Sequence, residues 1–375
     1  MDIQYRRGHS KSIDGIRGCA IILVLIYHCL EITFFPYSVL SKIGWIGVDL
    51  FFVLSGFLIT GILYDTKGSK NYLSVFLFKR ILRIFPLYYL ALSIFFIVLL
   101  IPNITSTNSF LNKGHFDDII YYLTFTQNIR FSMHGFGITD ILNHFWSLAI
   151  EEQFYLVWPI IIMFTKRNKI ILISILIIII ALVTRNIYPF FPFSYVFTLA
   201  RIDALAIGGI TAILIRRNIT FLNKYTLYIF TILLVLLSYI VLITKSVYID
   251  DIYLIRYGYT LFDVLFASII ILTFDSKRIG KFIGYFFENS LLRFLGKYSY
   301  GIYVYHWLLY RGLYMYLETK YSLSSIFILP FILFVIIVSV LSYNLYEKKF
   351  LEFKSKIDEN TNWKEILLLT INRHP

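Results

Sequence analysis

Charge is scarce in this sequence: only 15% of its 375 residues are Asp, Glu, Lys or Arg, against about a quarter in an ordinary soluble domain. That shortfall excludes a water-facing surface over most of the chain. Cysteine is nearly absent, with only Cys19 and Cys29, which share one apolar run. On a helix they stand ~15 Å apart, beyond the ~7 Å over which Cα atoms can be bridged, so no disulfide joins them. There is no low-complexity linker and no short-period repeat. The alternating polarity of a membrane β-strand is missing too, which excludes a β-barrel. No soluble basic face exists to take up nucleic acid.

What the sequence does have is apolar length. It is 58% hydrophobic and 19% aromatic, with mean hydropathy +0.74. Runs of roughly 18–22 apolar residues recur from end to end, each able to cross a ~30 Å hydrocarbon core as a helix. They predict an all-α polytopic membrane helical bundle of about ten transmembrane helices. The spans fall near 16–35, 44–64, 81–101, 145–165, 169–187, 195–215, 225–244, 257–274, 298–317 and 325–346. Residues 1–350 then form one transmembrane domain and 351–375 a short tail. The first run is too long for a signal-peptide core and lacks a cleavage site. Most of the 35 Lys and Arg crowd into alternate loops, such as Lys79, Arg80 and Arg83 or Arg216 and Arg217. By the positive-inside bias both termini are cytoplasmic, and the net charge of +13 faces anionic lipid.

Ionisable groups inside hydrocarbon cost at least a few kcal/mol, so each is a functional candidate. Span one carries Arg17 and His28, eleven residues apart and so on one face of an α-helix, ~16 Å apart along its axis. Span two carries Asp49 and the small pair Ser55-Gly56, which suits close helix packing. Arg80 and Arg83 sit at i, i+3 before span three, and two guanidinium forks there suit phosphate oxygens as well as positive-inside bias. Span four holds Glu151, Glu152 and Tyr155. Glu151 lies ~9 Å below the outer boundary at the helical rise, a depth similar to that of His28. A buried glutamate near a histidine is the pattern of an oriented base; a structural Glu–Arg pair is the competing account. Span six holds Arg201 and Asp203, which point about 200° apart and so pair with other spans. Asp263 lies in span eight, and Tyr300 and His306 in span nine. Asp49, Glu152, Tyr155, Arg201, Asp203, Tyr300 and His306 are expected to converge on one polar cavity as substrate-binding residues, with a simple interhelical ion pair as the alternative for Asp49. The outer segment 102–144 carries His115, Asp117, Asp118, His134, Asp140 and His144. No metal-ligand spacing recurs among them, and they read as solvated loop residues; no metal is expected.

These segments together resemble the membrane acyltransferase-3 family. The matching stretches are Ile13-Asp-Gly-Ile-Arg17 with Tyr27-His28, Gly47 to Ile59, Arg80-Ile-Leu-Arg83 with Pro86, Trp146 to Tyr155, Arg201 to Gly208, and Ser299 to Trp307. They occur in family order over nearly the whole chain. The resemblance implies an O-acyltransferase in a bacterial cytoplasmic membrane. It takes an acyl group, usually acetyl, from acetyl-CoA or another acyl-CoA on the cytoplasmic side. The acceptor is a hydroxyl of a glycan or lipid-linked saccharide on, or bound for, the outer side. It also implies roles: His28 as catalytic base with Glu151, and Arg17, Arg80 and Arg83 as donor-binding residues. Many relatives append a periplasmic hydrolase-like domain after an eleventh span. The expectation that this chain has neither favours a lipid-linked or membrane-proximal acceptor or a separate periplasmic or extracellular partner protein, with a homo-oligomer as a further expected partner. A transporter or flippase for a glycan precursor is the rival reading. It lacks support from paired broken helices.

Overall fold

The computed structural model describes residues 11–30, 42–100, 118–136, 140–217, 220–244, 247–275, 278–321 and 327–357. Among the described residues every regular element is helical. The long helices are α1 (Lys11–Leu25), α2 (Ile46–Thr66), α3 (Tyr72–Leu99), α4 (Trp146–Phe164), α5 (Ile170–Ile187), α6 (Thr198–Arg216), α7 (Thr220–Thr244), α8 (Tyr259–Thr273), α9 (Ser290–Leu309) and α10 (Ile328–Ser342), followed by the short α11 (Lys348–Ser355). Among the described residues nine helical stretches are long and apolar enough to cross a membrane. The ninth expected span, 298–317, is helical but not among these nine stretches. It begins earlier, at Ser290, and runs through a π turn at Tyr310–Tyr314 into a helix ending at Tyr321. Its polar load, from Arg293 and Lys297 to His306 and Arg311, is what lowers its hydropathy. The tail expected after residue 350 begins as α11, and from residue 358 onward it lies outside the described residues, as do His115 and Asp117.

The helices fall into an inner and an outer set. α2 is mostly buried, whereas α5 and α7 turn large aliphatic and aromatic side chains outward, as lipid contact requires. Two seams hold the inner set together, and both depend on missing side chains. A Cβ on Gly56 of α2 falls 1.9 Å from the Leu205 carbonyl of α6, and one on Gly208 of α6 falls 2.0 Å from that of Val53. The close packing expected of Ser55-Gly56 is therefore present at Gly56. The second seam joins α1 to α9, where a Cβ on Gly296 meets the Asp14 carbonyl at 1.7 Å. In lipid, where apolar burial drives helices together only weakly, such backbone contact supplies the packing.

Three helices lead into π turns: α1 into Ile26–Leu30, α9 into Tyr310–Tyr314 and α10 into Tyr343–Glu347. Such wider turns locally re-aim side chains. Around Pro86, inside α3, hydroxyls of neighbouring helices reach the backbone. Tyr300 donates to the Ile84 carbonyl at 2.7 Å and Tyr346 to that of Pro86 at 3.4 Å.

Candidate active site

A cavity of about 110 Å³ opens between α1, α2, α3, α4 and α9, room for several waters or a slender chain. Its wall carries Arg17, Arg80 and Arg83, facing Glu151, with Ser55, Tyr155, Tyr300 and Tyr303 around them. The i, i+3 spacing on α3 brings both of its arginines to the same opening. Arg17 reaches it from α1 and is held by Asp14 at 3.3 Å. The Arg80 guanidinium sits 6.0 Å over the Tyr155 ring and 5.6 Å over that of Phe76, and its Nε has no hydrogen-bond partner among the described residues. Lys354 of α11 stands near this field, where burial first and then repulsion from Arg80, Arg83, Lys79 and Arg17 act on its ammonium. Glu347 offsets part of it near Arg83. Three guanidiniums against one lining carboxylate make a wall suited to an anion.

The carboxylate is engaged locally. Tyr155 donates its hydroxyl hydrogen to Glu151 Oε2 at 2.9 Å and accepts from the Ser55 hydroxyl. Glu152, the next residue on α4, projects ~100° away. It is buried and does not line the cavity, and its Oε1 has no partner among the described residues.

Tyr303 closes the far side of the cavity, donating to the His144 carbonyl at 2.6 Å and sharing a hydrogen bond with Ser147. Beyond it lie three histidines. His306 places Nδ1 at 2.6 Å from the Tyr303 carbonyl and Nε2 at 3.3 Å from Nδ1 of His28. His144 donates to the Val304 carbonyl at 3.2 Å, with its ring 5.3 Å from that of His306. His28 is half-buried, its ring 4.6 Å from that of Trp307 and tilted 54° to it.

Several expectations need correction. His28 is not on the cavity wall, and the expected Glu151–His28 contact is replaced by Glu151–Tyr155. The alignment of His28 with Arg17 assumed a continuous α-helix. His28 instead sits in the π turn at Ile26–Leu30, which rotates it toward α9. Asp49, Arg201 and Asp203 leave the site altogether. Arg201 pairs with Asp49 across α6 and α2, and packs 4.1 Å over the Tyr259 ring. Asp203 receives both forks of Arg185 at 3.0 and 2.7 Å and the Thr260 hydroxyl at 2.6 Å. Arg201 and Asp203 do pair with other spans rather than each other. His306 is fully buried beside His28 and does not line the cavity. His144, read as a loop residue, is buried.

Ser55, Ser147, Tyr303 and Lys354 were not singled out as site residues. Ser147 and Tyr303 stand in stretches that carried the resemblance, so their signal was present but unranked. Ser55 reads as packing because its neighbour is glycine. Lys354 reads as one more basic residue after a span, and only the fold of α11 back onto α3, with Phe353 packed against Val75 and Phe78, brings it near Arg80 and Arg83.

Known proteins bear on this geometry. Residues 10–344 match the family model of an acyltransferase domain. A peptidoglycan O-acetyltransferase of Listeria monocytogenes is 37% identical over 186 residues, covering 46% of this chain and 28% of that protein. A putative peptidoglycan O-acetyltransferase of Bacillus subtilis is 31% identical over 321 residues, 79% of this chain and 48% of that one. A putative O-acetyltransferase of Staphylococcus aureus is 30% identical over 320 residues, 80% and 50% of the two chains. The chain thus spans about half the length, or less, of these relatives. No solved structure matches. With the match running from residue 10 to residue 344, the chain belongs to the acyltransferase-3 family.

Proposed function

We propose that this protein is an integral-membrane O-acetyltransferase. It moves an acetyl group from acetyl-CoA to a hydroxyl of a cell-envelope glycan, and the names of its relatives favour peptidoglycan. The observation that carries the reading is the cavity where Arg17, Arg80 and Arg83 converge beside Glu151. Guanidinium forks match phosphate oxygens, and charge-assisted hydrogen bonds of this kind are about twice as strong as neutral ones. The phosphates of the donor bind at the mouth, near Arg80, Arg83 and Lys354. The pantetheine arm, uncharged and narrow, suits the apolar stretch of wall formed by Phe51, Leu54 and Leu58. It carries the thioester toward Tyr303 and the histidines.

The reaction needs a base for the acceptor hydroxyl. Val24 O, which can only accept, lies 3.2 Å from His28 Nδ1, so Nδ1 carries the proton of the neutral ring and Nε2 is bare. Nε2 takes the acceptor's proton as its oxygen attacks the thioester carbonyl. The C–S bond breaks, and the departing thiolate receives the proton. Tyr155 packs against Arg80 and donates to Glu151, which faces the phosphate-side arginines without pairing with them. The test is transfer of radiolabel from acetyl-CoA to peptidoglycan by protein reconstituted in liposomes. Wild type labels the glycan and His28→Ala does not; full labelling by the variant ends the assignment of His28.

A further inference from the structure

We infer that His306 is the positioning residue of the acyl-transfer site: a second imidazole that accepts the Nδ1–H of His28 and steadies the imidazolium formed when His28 takes a proton. The inference rests on the proposed base role of His28 and assigns its partner, which the sequence suggested was Glu151.

The hydrogen-bond arithmetic leaves little freedom. The Tyr303 carbonyl accepts from Nδ1 of His306 at 2.6 Å. A carbonyl has no proton to give, so that nitrogen carries the hydrogen and Nε2 of a neutral His306 is an acceptor. Nε2 lies 3.3 Å from Nδ1 of His28, so His306 and the Val24 carbonyl, 3.2 Å from the same nitrogen, share its single hydrogen as two acceptors. Both rings are therefore in compatible tautomers, and the chain of donors runs from His28 to His306 to the backbone of α9. When Nε2 of His28 gains a proton, its Nδ1–H becomes a cationic donor. The bond to His306 then turns into a charge-assisted one, which is shorter and stronger. An oriented third group behind a base is the general logic of activated hydroxyls.

The surroundings fix both rings. His306 is fully buried. It is wedged between Tyr303, at 5.4 Å between ring centroids, and His144, at 5.3 Å. His28 packs at a tilt against Trp307, the residue after His306, and stands in the π turn that aims it at α9. Among the described residues the groups facing His306 are thus His28, His144 and Tyr303, with no carboxylate in contact with it. A neutral partner suits a site in hydrocarbon. It accepts one hydrogen bond without a second buried charge to desolvate.

The test compares His306→Leu with His306→Gln, in which the amide oxygen offers an acceptor near the place of Nε2. Both are assayed for acetyl transfer from acetyl-CoA in liposomes, with kcat and KM separated. His306→Leu is expected to lower kcat by at least about tenfold, part of the ~10²–10⁴ that general-base catalysis contributes, with KM for acetyl-CoA unchanged. His306→Gln is expected to recover most of that loss. Equal rates for the two variants, high or low, overturn the positioning role. No transfer by the wild type removes the base role of His28 and this inference together. A second measurement needs no variant. Diethyl pyrocarbonate reacts at a bare imidazole nitrogen, and the product is mapped by mass spectrometry. His28 is expected to be modified while His306 and His144 are spared; an unreactive His28 contradicts the bare Nε2 on which the arrangement depends.

Discussion

Two groups of buried charge stand side by side in this bundle and behave oppositely. Between α2, α5, α6 and α8, Asp49 meets Arg201 and Asp203 meets Arg185, and aromatic rings and the Thr260 hydroxyl fill the space around them. Between α1, α3, α4 and α9, three guanidiniums and one carboxylate line an open volume, and the carboxylate is bound to a tyrosine rather than to any of them. In the first group each arginine is taken up by a carboxylate, although Asp263 Oδ1 lies buried beside them without a partner among the described residues. In the second the charge is left facing a void. Burial of an ionisable residue in a membrane is therefore a poor guide to function until its partner is known. The useful signal is charge that the protein itself does not neutralise.

The comparison predicts distinct failures. The largest is His28→Ala, expected to cut acetyl transfer by about 10²–10⁴ while leaving donor binding and thermal unfolding in detergent near wild type. Next, Asp203→Leu strands Arg185 and is expected to cost about 3–5 kcal/mol of stability, the usual result of breaking a buried pair from one side. Paired removal in Asp203→Leu with Arg185→Met recovers most of it. If the single variant unfolds like wild type and instead loses only KM, the two groups of charge have been assigned the wrong way round. Gly56→Val drives a side chain into the Leu205 backbone. It is expected to lower stability by about 1–3 kcal/mol, as overpacking does, read as a drop in unfolding temperature. The smallest effect is that of Lys354→Ala, at the half-exposed edge of the field. KM for acetyl-CoA should rise a few-fold, about 1 kcal/mol or less, with kcat unchanged.

Most of the fold was legible because lipid imposes one requirement, a run of apolar residues of fixed length, and the chain meets it repeatedly. The exception is instructive: α9 carries so many polar groups that its hydropathy falls, and the same helix supplies Ser299, Tyr300 and Tyr303 to the cavity. Arg17, Arg80 and Arg83 were legible because an arginine at a span mouth has few places to go. Their meeting at one cavity was not, since helix adjacency is set by seams such as Gly56 on Leu205, far away in sequence. The face of His28 was misjudged for a local reason. Periodicity assumes 3.6 residues per turn, and the π turn at Ile26–Leu30 breaks that register without any proline or glycine to announce it. Asp49, Arg201 and Asp203 were offered to the substrate because sequence shows a charge but not its counter-ion.

The central claim is that Arg80 and Arg83 grip an anionic donor at the cavity mouth. Measuring KM for acetyl-CoA in the Arg80→Ala, Arg83→Ala double variant tests it most directly. Each lost charge-assisted contact is worth about 1.5–3 kcal/mol, so KM should rise by at least about a hundredfold, with the protein still folded. A KM equal to that of the wild type contradicts the claim.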